Sequence, residues 1–123
     1  MMKLIFCVRK LPHMSLAEFQ RYWLENHGPL VRSHAATLGI RRYVQVHRLD
    51  NPVNDAMRAS RQAGDPYDGV AELWWESVEA FAAAGATPEG RQAGQELLAD
   101  ERKFIDLRRC ALWVGEEHEI VGG

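Results

Sequence analysis

The sequence predicts an α+β fold in which an antiparallel four-stranded sheet carries its helices on one face. The first observation is that four segments have the β-branched and aromatic composition of strands: residues 2–10, 40–49, 69–75 and 108–115. The second is that helical patterns separate the first segment from the second and the third from the fourth, giving the order β-α-β-β-α-β. This order is that of the ferredoxin-like fold. We expect one domain spanning all 123 residues, 1–123.

The first helical region has a clear start and an interruption. Ser15, with Glu18 three residues later, forms a capping box and predicts that a helix begins there. The His-Gly-Pro sequence at 27–29 predicts a break, because proline and glycine interrupt helices. A second helical piece follows the break and ends at Gly39.

The second helical region has two start signals. Ser77 caps a short helix over 78–84 that we expect to end at Gly85. Thr87, followed by Pro88 and Glu89, opens a longer helix that runs to about residue 105.

Residues 50–68 differ in composition from the rest of the chain. They contain Asn, Asp, Gly and Pro in several adjacent pairs, which predicts a long excursion between two strands. We expect one short helical turn within it, at about 56–62. Loops of this length are usually functional or mobile.

Composition and charge exclude several classes of protein. The formal net charge is −2, and the arginines are interspersed with acidic residues, so neither a nucleic-acid footprint nor a membrane-binding patch is present. No stretch is long enough to span a bilayer, and residues 1–9 do not resemble a signal peptide. We therefore expect a cytoplasmic protein. Cys7 and Cys110 lie in apolar, strand-like runs and are expected to be buried thiols.

The third strand has apolar residues on both faces. Val70 and Trp74 share one face, whereas Ala71, Leu73 and Trp75 share the other. Helices on one face of a sheet leave the other face uncovered. A second copy of the chain, packed sheet against sheet, would cover it, so we expect a homodimer.

Several motifs together resemble the EthD domain family, and they occur in the family's order along nearly the whole chain: Phe19-x-x-Tyr22-Trp23, His27-Gly28-Pro29, Tyr43, residues 68–77 and residues 99–106. The resemblance implies the dimeric α+β barrel fold. Members are associated with the degradation of ethers and aromatic compounds, and related fungal proteins act as dehydratases or cyclases. The wider fold group includes muconolactone isomerases and heme-handling monooxygenases, so the fold does not fix the chemistry.

His27 is the first candidate catalytic residue. Phe19, Trp23 and His27 are spaced four apart and share one helix face, which places an imidazole at the end of an aromatic stripe. A neutral imidazole is a general acid or base near pH 7, and the EthD resemblance also marks this position. The alternative is a structural histidine that hydrogen-bonds a carbonyl at the helix break.

Tyr43, Gln45 and His47 form a row on one face of the second strand. A phenol, an amide and an imidazole in a row suit a ligand with a ring and an oxygen atom. Tyr43 and His47 are therefore catalytic candidates and Gln45 a substrate-binding candidate. The alternative is an exposed strand face.

Four further side chains are candidates for substrate binding, besides Trp23 and Gln45. His34 points to the apolar side of its helix and either reaches the pocket or is a satisfied core histidine. Glu72 lies in an apolar strand and is either a proton shuttle or the partner of an arginine. Of Trp74 and Trp75, one is core and the other lines a pocket or a dimer interface.

The acidic residues of the last helix are predicted to be structural. Asp100, Glu101 and Asp106 alternate with basic residues, a pattern typical of a solvated helix face.

No metal or cofactor is expected. The chain has no His-x-x-x-His, Cys-x-x-Cys or glycine-rich phosphate motif. Our leading hypothesis is a homodimer that acts without cofactor on a small aromatic or polyketide-like compound by acid/base chemistry: dehydration, isomerisation or cyclisation. One alternative is an oxidoreductase or accessory protein of ether or aromatic degradation. The other is a non-enzymatic protein that binds a small apolar ligand.

Overall fold

A computed structural model describes all 123 residues, and the four predicted strands form one antiparallel sheet. The strands lie side by side in the order β2-β3-β1-β4, which is the ferredoxin-like arrangement. The predicted α+β fold is therefore confirmed. The strand bounds are β1 Met2–Val8, β2 Arg42–His47, β3 Gly69–Trp75 and β4 Ala111–Glu116.

Three strands are shorter than predicted. β4 begins at Ala111 rather than at residue 108, because residues 107–109 form a short 3₁₀ turn. β1 ends at Val8 because the chain then leaves the sheet, and Lys10 makes only an isolated bridge to Ile105. β2 begins two residues later and ends two residues earlier than the expected 40–49.

Five α-helices accompany the sheet: α1 Leu16–Tyr22, α2 Gly28–Leu38, α3 Val53–Arg61, α4 Val78–Ala86 and α5 Pro88–Glu101. The capping box is present, since the Ser15 hydroxyl accepts from the Glu18 amide while the Glu18 carboxylate accepts from the Ser15 amide. Ser77 and Thr87 cap α4 and α5 as predicted.

Three helix bounds differ from prediction. α4 continues through Gly85 and stops only at Thr87, whose extended backbone also caps α5. α5 stops at Glu101 rather than near residue 105, and a short turn follows it. The excursion at 50–68 contains α3, a full nine-residue helix without a buried residue, where one short turn was expected.

The predicted break at residues 27–29 is wrong. α1 continues into a π-helical turn, Trp23–His27, which joins α2 without leaving the helical conformation. In this wider turn the Gly28 N–H donates to the carbonyl of Trp23, five residues earlier. Proline 29 then falls in the first turn of α2, a position that tolerates it.

The core lies between β1, β3 and the first helical region. Its fully buried side chains are Val8, Phe19, Trp23 and Phe104. The Phe19 ring contacts the rings of Trp23 and Phe104 at centroid distances of 5.4 and 5.7 Å. The aromatic stripe predicted for the first helix is thus the face that docks on the sheet.

The two faces of the sheet differ as the alternation predicted. Trp75 points to the helices, donates from Nε1 to the carbonyl of Leu38 and packs edge-on against Phe81. Trp74 points to the opposite face. This open face, which no helix of the chain covers, also carries Val46 and Trp113, whose exposed fractions are 49% and 52%.

No helix is both long and apolar enough to span a membrane.

Candidate active site

The imidazole of His27 is held by a buried carboxylate. Its Nδ1 lies 2.8 Å from Oδ2 of Asp100, near the end of α5. The other oxygen of Asp100 accepts a 2.6 Å hydrogen bond from the hydroxyl of Tyr22. The π-helical turn places His27 at this point, because it carries the ring past Trp23 towards α5. His27 does not bond a backbone carbonyl, which was the alternative role predicted for it.

The protonation states of this pair follow from their surroundings. Burial would raise the pKa of Asp100, but the hydrogen bonds from Tyr22 and His27 outweigh it and lower the pKa below its usual value. Burial lowers the pKa of His27, although the bond to Asp100 acts in the opposite direction. Near pH 7, therefore, an ionised Asp100 accepts from a neutral His27, which carries its proton on Nδ1 and a lone pair on Nε2.

A small cavity lies beside His27, between the helices and the sheet. Its volume is about 60 Å³, and the titratable side chains in its wall are His27, Tyr43 and Glu101. The rest of the wall is mostly apolar. His27 lines this cavity, and its Nε2 makes no hydrogen bond within the chain. The lone pair of Nε2 is thus free to accept a hydrogen bond from a bound molecule.

Glu101 is the acidic member of the cavity wall. Burial, assisted by the charge of Asp100, raises the pKa of its carboxyl to about 7, and Arg102 opposes the shift only in part. Burial likewise raises the pKa of Tyr43 to about 12, so its hydroxyl stays protonated.

Tyr43, Gln45 and His47 face the helices and form a hydrogen-bonded row. The Gln45 amide nitrogen donates to the Tyr43 hydroxyl and to the Trp23 carbonyl, at 2.7 and 2.9 Å. Its oxygen lies 2.7 Å from Nε2 of His47, whose ring stacks on Trp23 at 4.5 Å. Burial lowers the pKa of His47. This row of three side chains is half-buried, and the side-chain amide of Gln45 links it to the π-helical turn.

A larger groove runs along the outer side of this row, between α2 and β2. Its volume is about 510 Å³, within the range of small-molecule sites. Gly28, Gln45 and His47 line it together with apolar side chains of α2 and three arginines, and it shares Val31 and Tyr43 with the inner cavity. The structure thus brings His27, Tyr43, Gln45, His47 and Trp23 together around two adjoining spaces.

The other four candidates lie elsewhere. His34 faces α5, where its ring is beside Glu96, and it lines neither space. Glu72 lies on the open face of the sheet and pairs with Lys3 at 3.0 Å, rather than with an arginine. Trp74, on the same face, is stacked by Lys3 and Arg42. Trp75 is a core residue.

The sequence assigned Asp100 and Glu101 to a solvated face, and this assignment is wrong. Both carboxyls lie at the core side of α5, where Asp100 is buried. A signal was present: Ala93, Leu97 and Phe104 recur at helical spacing, and Asp100 and Glu101 occupy the turn between Leu97 and Phe104. Asp106, in contrast, lies beyond α5 in a short turn.

No three His, Cys, Asp or Glu side chains lie close enough together to hold a metal ion. The expectation of chemistry without a metal or cofactor stays a prediction.

The fold and this site define a small α+β protein with a buried acid–base pair under its helices. The sequence profile of the EthD domain matches residues 11–108, and the chain belongs to the EthD domain family. No curated protein sequence matches it significantly.

Solved structures share the fold across nearly the whole chain. An ethyl tert-butyl ether D (EthD) family protein from Bacillus halodurans is 24% identical, with a TM-score of 0.62 over 96% of this chain and 99% of that one. A dimeric protein of ferredoxin-like fold from Bacteroides fragilis is 13% identical, with a TM-score of 0.58 over 94% and 95%. SnoaB of Streptomyces nogalater, a cofactor-independent oxygenase, is 16% identical, with a TM-score of 0.52 over 99% and 97%. At these identities the likeness shows the fold alone.

Proposed function

We propose that this EthD-domain protein is a cofactor-independent acid/base catalyst that acts on a small aromatic or polyketide-like compound. The observation that carries the proposal is the pairing of His27 with Asp100, because it holds Nδ1 and leaves Nε2 free in a ring that lines the inner cavity. An imidazole fixed in this tautomer by a carboxylate is organised as a general base. The adjoining groove has the size to hold the body of such a substrate.

The row on β2 supports the same assignment. Tyr43 belongs to both spaces and keeps its proton at neutral pH, so it can donate to an oxygen atom of the substrate. Gln45 and His47 line the groove only and would bind or orient the molecule. Proton abstraction followed by protonation elsewhere on the substrate gives dehydration, isomerisation or cyclisation. Cofactor-independent chemistry is compatible with this fold, since the relative from S. nogalater is a cofactor-independent oxygenase.

We propose in addition that two copies associate through the open face of the sheet. Val46 and Trp113 are each about half exposed there, and an apolar face of this kind is typical of an interface. The relative from B. fragilis is dimeric.

The proposed role of His27 as a general base can be tested with a probe whose reaction requires only a base. A base opens 5-nitrobenzisoxazole by taking the proton on C3. The C–H electron pair forms the nitrile, the N–O bond breaks, and a coloured cyanonitrophenolate leaves. We expect the protein to accelerate this reaction, and His27→Ala to reduce the acceleration about 10²-fold, a typical contribution of a general base. Asp100→Asn should also reduce it, because an amide can donate to Nδ1 and favour the wrong tautomer.

The matched control is His118→Ala, which removes an exposed imidazole from the C-terminal tail. Circular dichroism establishes that each variant is folded. A folded His27→Ala variant as fast as the wild type would overturn the proposal, and so would a wild type no faster than free imidazole. If the probe binds the groove but does not react, the protein is a small-ligand binding protein instead.

A further inference from the structure

We propose that Glu101 is a second catalytic group of this site: its carboxylic acid donates a proton to the substrate's carbonyl oxygen while His27 removes a proton from the adjacent carbon. The inference rests on the proposed function and narrows it. The substrate class becomes an enolisable carbonyl compound, because such a molecule presents an acidic C–H next to a basic oxygen.

Glu101 lies in the wall of the same cavity as His27. It is the last residue of α5, and its side chain lies in the wall of the inner cavity that also contains His27 and Tyr43. The rest of that wall is mostly apolar and includes Leu97, Ile105, Phe6 and Leu73. Because the cavity measures only about 60 Å³, we expect the reacting part of a substrate to reach both the imidazole and the carboxyl.

Glu101 differs from the preceding residue, Asp100, in its hydrogen-bond partners. The Asp100 carboxylate accepts hydrogen bonds from Tyr22 and His27 and has Lys103 3.7 Å away. The Glu101 carboxyl makes no hydrogen bond and no ion pair within the chain, and Glu101 lines the cavity. A carboxyl without partners in an apolar wall lowers stability. A structural role therefore does not account for it, whereas a role towards a ligand does.

The electrostatic setting agrees with this geometry. Burial and the neighbouring Asp100 raise the pKa of Glu101 to about 7, with Arg102 opposing. The other titratable groups that face it are His27 from the π-helical turn, Tyr43 from β2 and Cys110 next to β4. Because burial lowers the pKa of His27, a neutral base and a protonated acid coexist near neutral pH. Two groups whose pKa values are moved in opposite directions from their usual values can divide the roles of acid and base.

The step balances without an oxidant or co-reactant. Nε2 of His27 takes the proton from the carbon next to the carbonyl group. The C–H electron pair becomes the C=C bond of an enol, and the carbonyl oxygen takes the proton of Glu101. Return of the two protons regenerates the ketone, and return to a different carbon gives an isomer.

Two probes separate the acid from the base. 2-Tetralone, an enolisable aromatic ketone, exchanges its α protons in D₂O by a path that uses both groups, and proton NMR follows the exchange. 5-Nitrobenzisoxazole needs only the base. We expect Glu101→Gln to slow the enzymatic exchange about 10²-fold and to slow the ring opening much less, so that the ratio of the two rates changes. Glu96→Gln, on the outer side of the same helix beside His34, is the control.

The pH dependence of the exchange rate distinguishes a catalytic role of Glu101 from a structural one, because a structural role would leave it unchanged. Wild-type exchange should fall as the pH rises above about 7, where Glu101 loses its proton. The fall in rate above this pH should be absent in Glu101→Gln. If Glu101→Gln exchanges like the wild type while His27→Ala does not, the assignment of Glu101 is overturned and the base remains. If His27→Ala retains both reactions, the proposed function itself fails.

A measurement without substrate gives an independent test. NMR titration of the side-chain carboxyl carbon of Glu101 in the free protein reports its protonation state directly. We expect this carboxyl to titrate near pH 7. Titration near the ordinary pKa of a glutamate, 4.5, would overturn the proposal.

Discussion

Adjacent carboxyls on one helix turn have opposite properties in this protein. Asp100 is buried and yet ionised, because Tyr22 and His27 donate to both of its oxygens. Glu101 is protonated more readily, because burial and the charge of Asp100 raise its pKa and no hydrogen-bond donor opposes them. At the scale of single residues, hydrogen-bond donors offset the effect of burial for one carboxyl and not for the other.

Replacement of Glu101 should make stability less dependent on pH. Its pKa is about 7 in the folded chain and 4.5 in the reference state, so the folded protein binds more protons between these values. The native state therefore loses stability as the pH rises from about 4.5 to 7, by at most about 3 kcal/mol, and does not regain it above. Glu101→Gln should match the wild type in urea unfolding at pH 4 and exceed it at pH 8.

Glu89→Gln serves as the reference in these unfolding curves, since Glu89 is an exposed carboxylate of α5 without an ion pair in the chain. A difference between Glu101→Gln and the wild type that is the same at pH 4 and pH 8 would show that Glu101 does not titrate as described.

Local patterns made His27 and Tyr43 candidates, since an imidazole after an aromatic stripe and a tyrosine on an alternating strand are visible in the sequence, and the structure places both beside one cavity. It misassigned Asp100 and Glu101 because their neighbours along the chain are charged. Which side of α5 meets the core depends on how that helix packs against the π-helical turn, and this is a tertiary property. The unpartnered state of Glu101 is equally invisible in a sequence.

Among the secondary-structure elements, the π-helical turn and β3 meet at a glycine. The indole of Trp23 lies over Gly69, where an added Cβ would be 2.5 Å from a ring carbon and 2.7 Å from the carbonyl oxygen of Val46. This close approach lets Trp23 stack on His47 and brings the Trp23 carbonyl to Gln45. The absence of one side chain on β3 thus positions the whole row on β2.

Gly69→Ala should therefore destabilise the protein by about 1–3 kcal/mol, the usual effect of overpacking, as measured by urea unfolding. Gly64→Ala is the matched control, because a Cβ there meets nothing within 4 Å. Equal stabilities for the two variants would contradict the packing of Trp23 on Gly69.

The beginnings of helices were predictable and the path through residues 27–29 was not. Ser15, Ser77 and Thr87 cap their helices through contacts within three residues, so the sequence alone contains the signal. The effect of Pro29 depends on which carbonyls the preceding turn leaves free, and a wider turn changes that set. A local rule about proline therefore predicted a break where the chain continues as a helix.

At the scale of the whole molecule, the open face of the sheet is apolar and is not covered by any helix of the chain. Trp113, on the edge strand β4, is 52% exposed on this face. Trp113→Glu should shift the protein to monomers, because a carboxylate would be buried without a partner in the proposed interface. Sedimentation velocity at micromolar concentration measures the change.

Val53→Glu is the matched control for this experiment. Val53 is also 52% exposed, but it lies on α3, away from the sheet face. A wild type that sediments as a monomer, or a Trp113→Glu variant that remains dimeric, would contradict the proposed association.

The alternation of residues along β3 predicted that both of its faces are apolar. The exposure of β4 depends on how the helices pack on the sheet, and it could not be predicted from the sequence.

The π-helical turn also makes the site sensitive to chain length. Each residue advances a helix by about 100°. A relative that lacked one residue between Trp23 and His27 could keep the same sheet, the same caps and the same core, but its imidazole would be rotated away from the carboxylate of Asp100. Within a common architecture, gain or loss of a single codon at this point could thus create or abolish a reactive centre, which is one route by which similar folds come to host different chemistries.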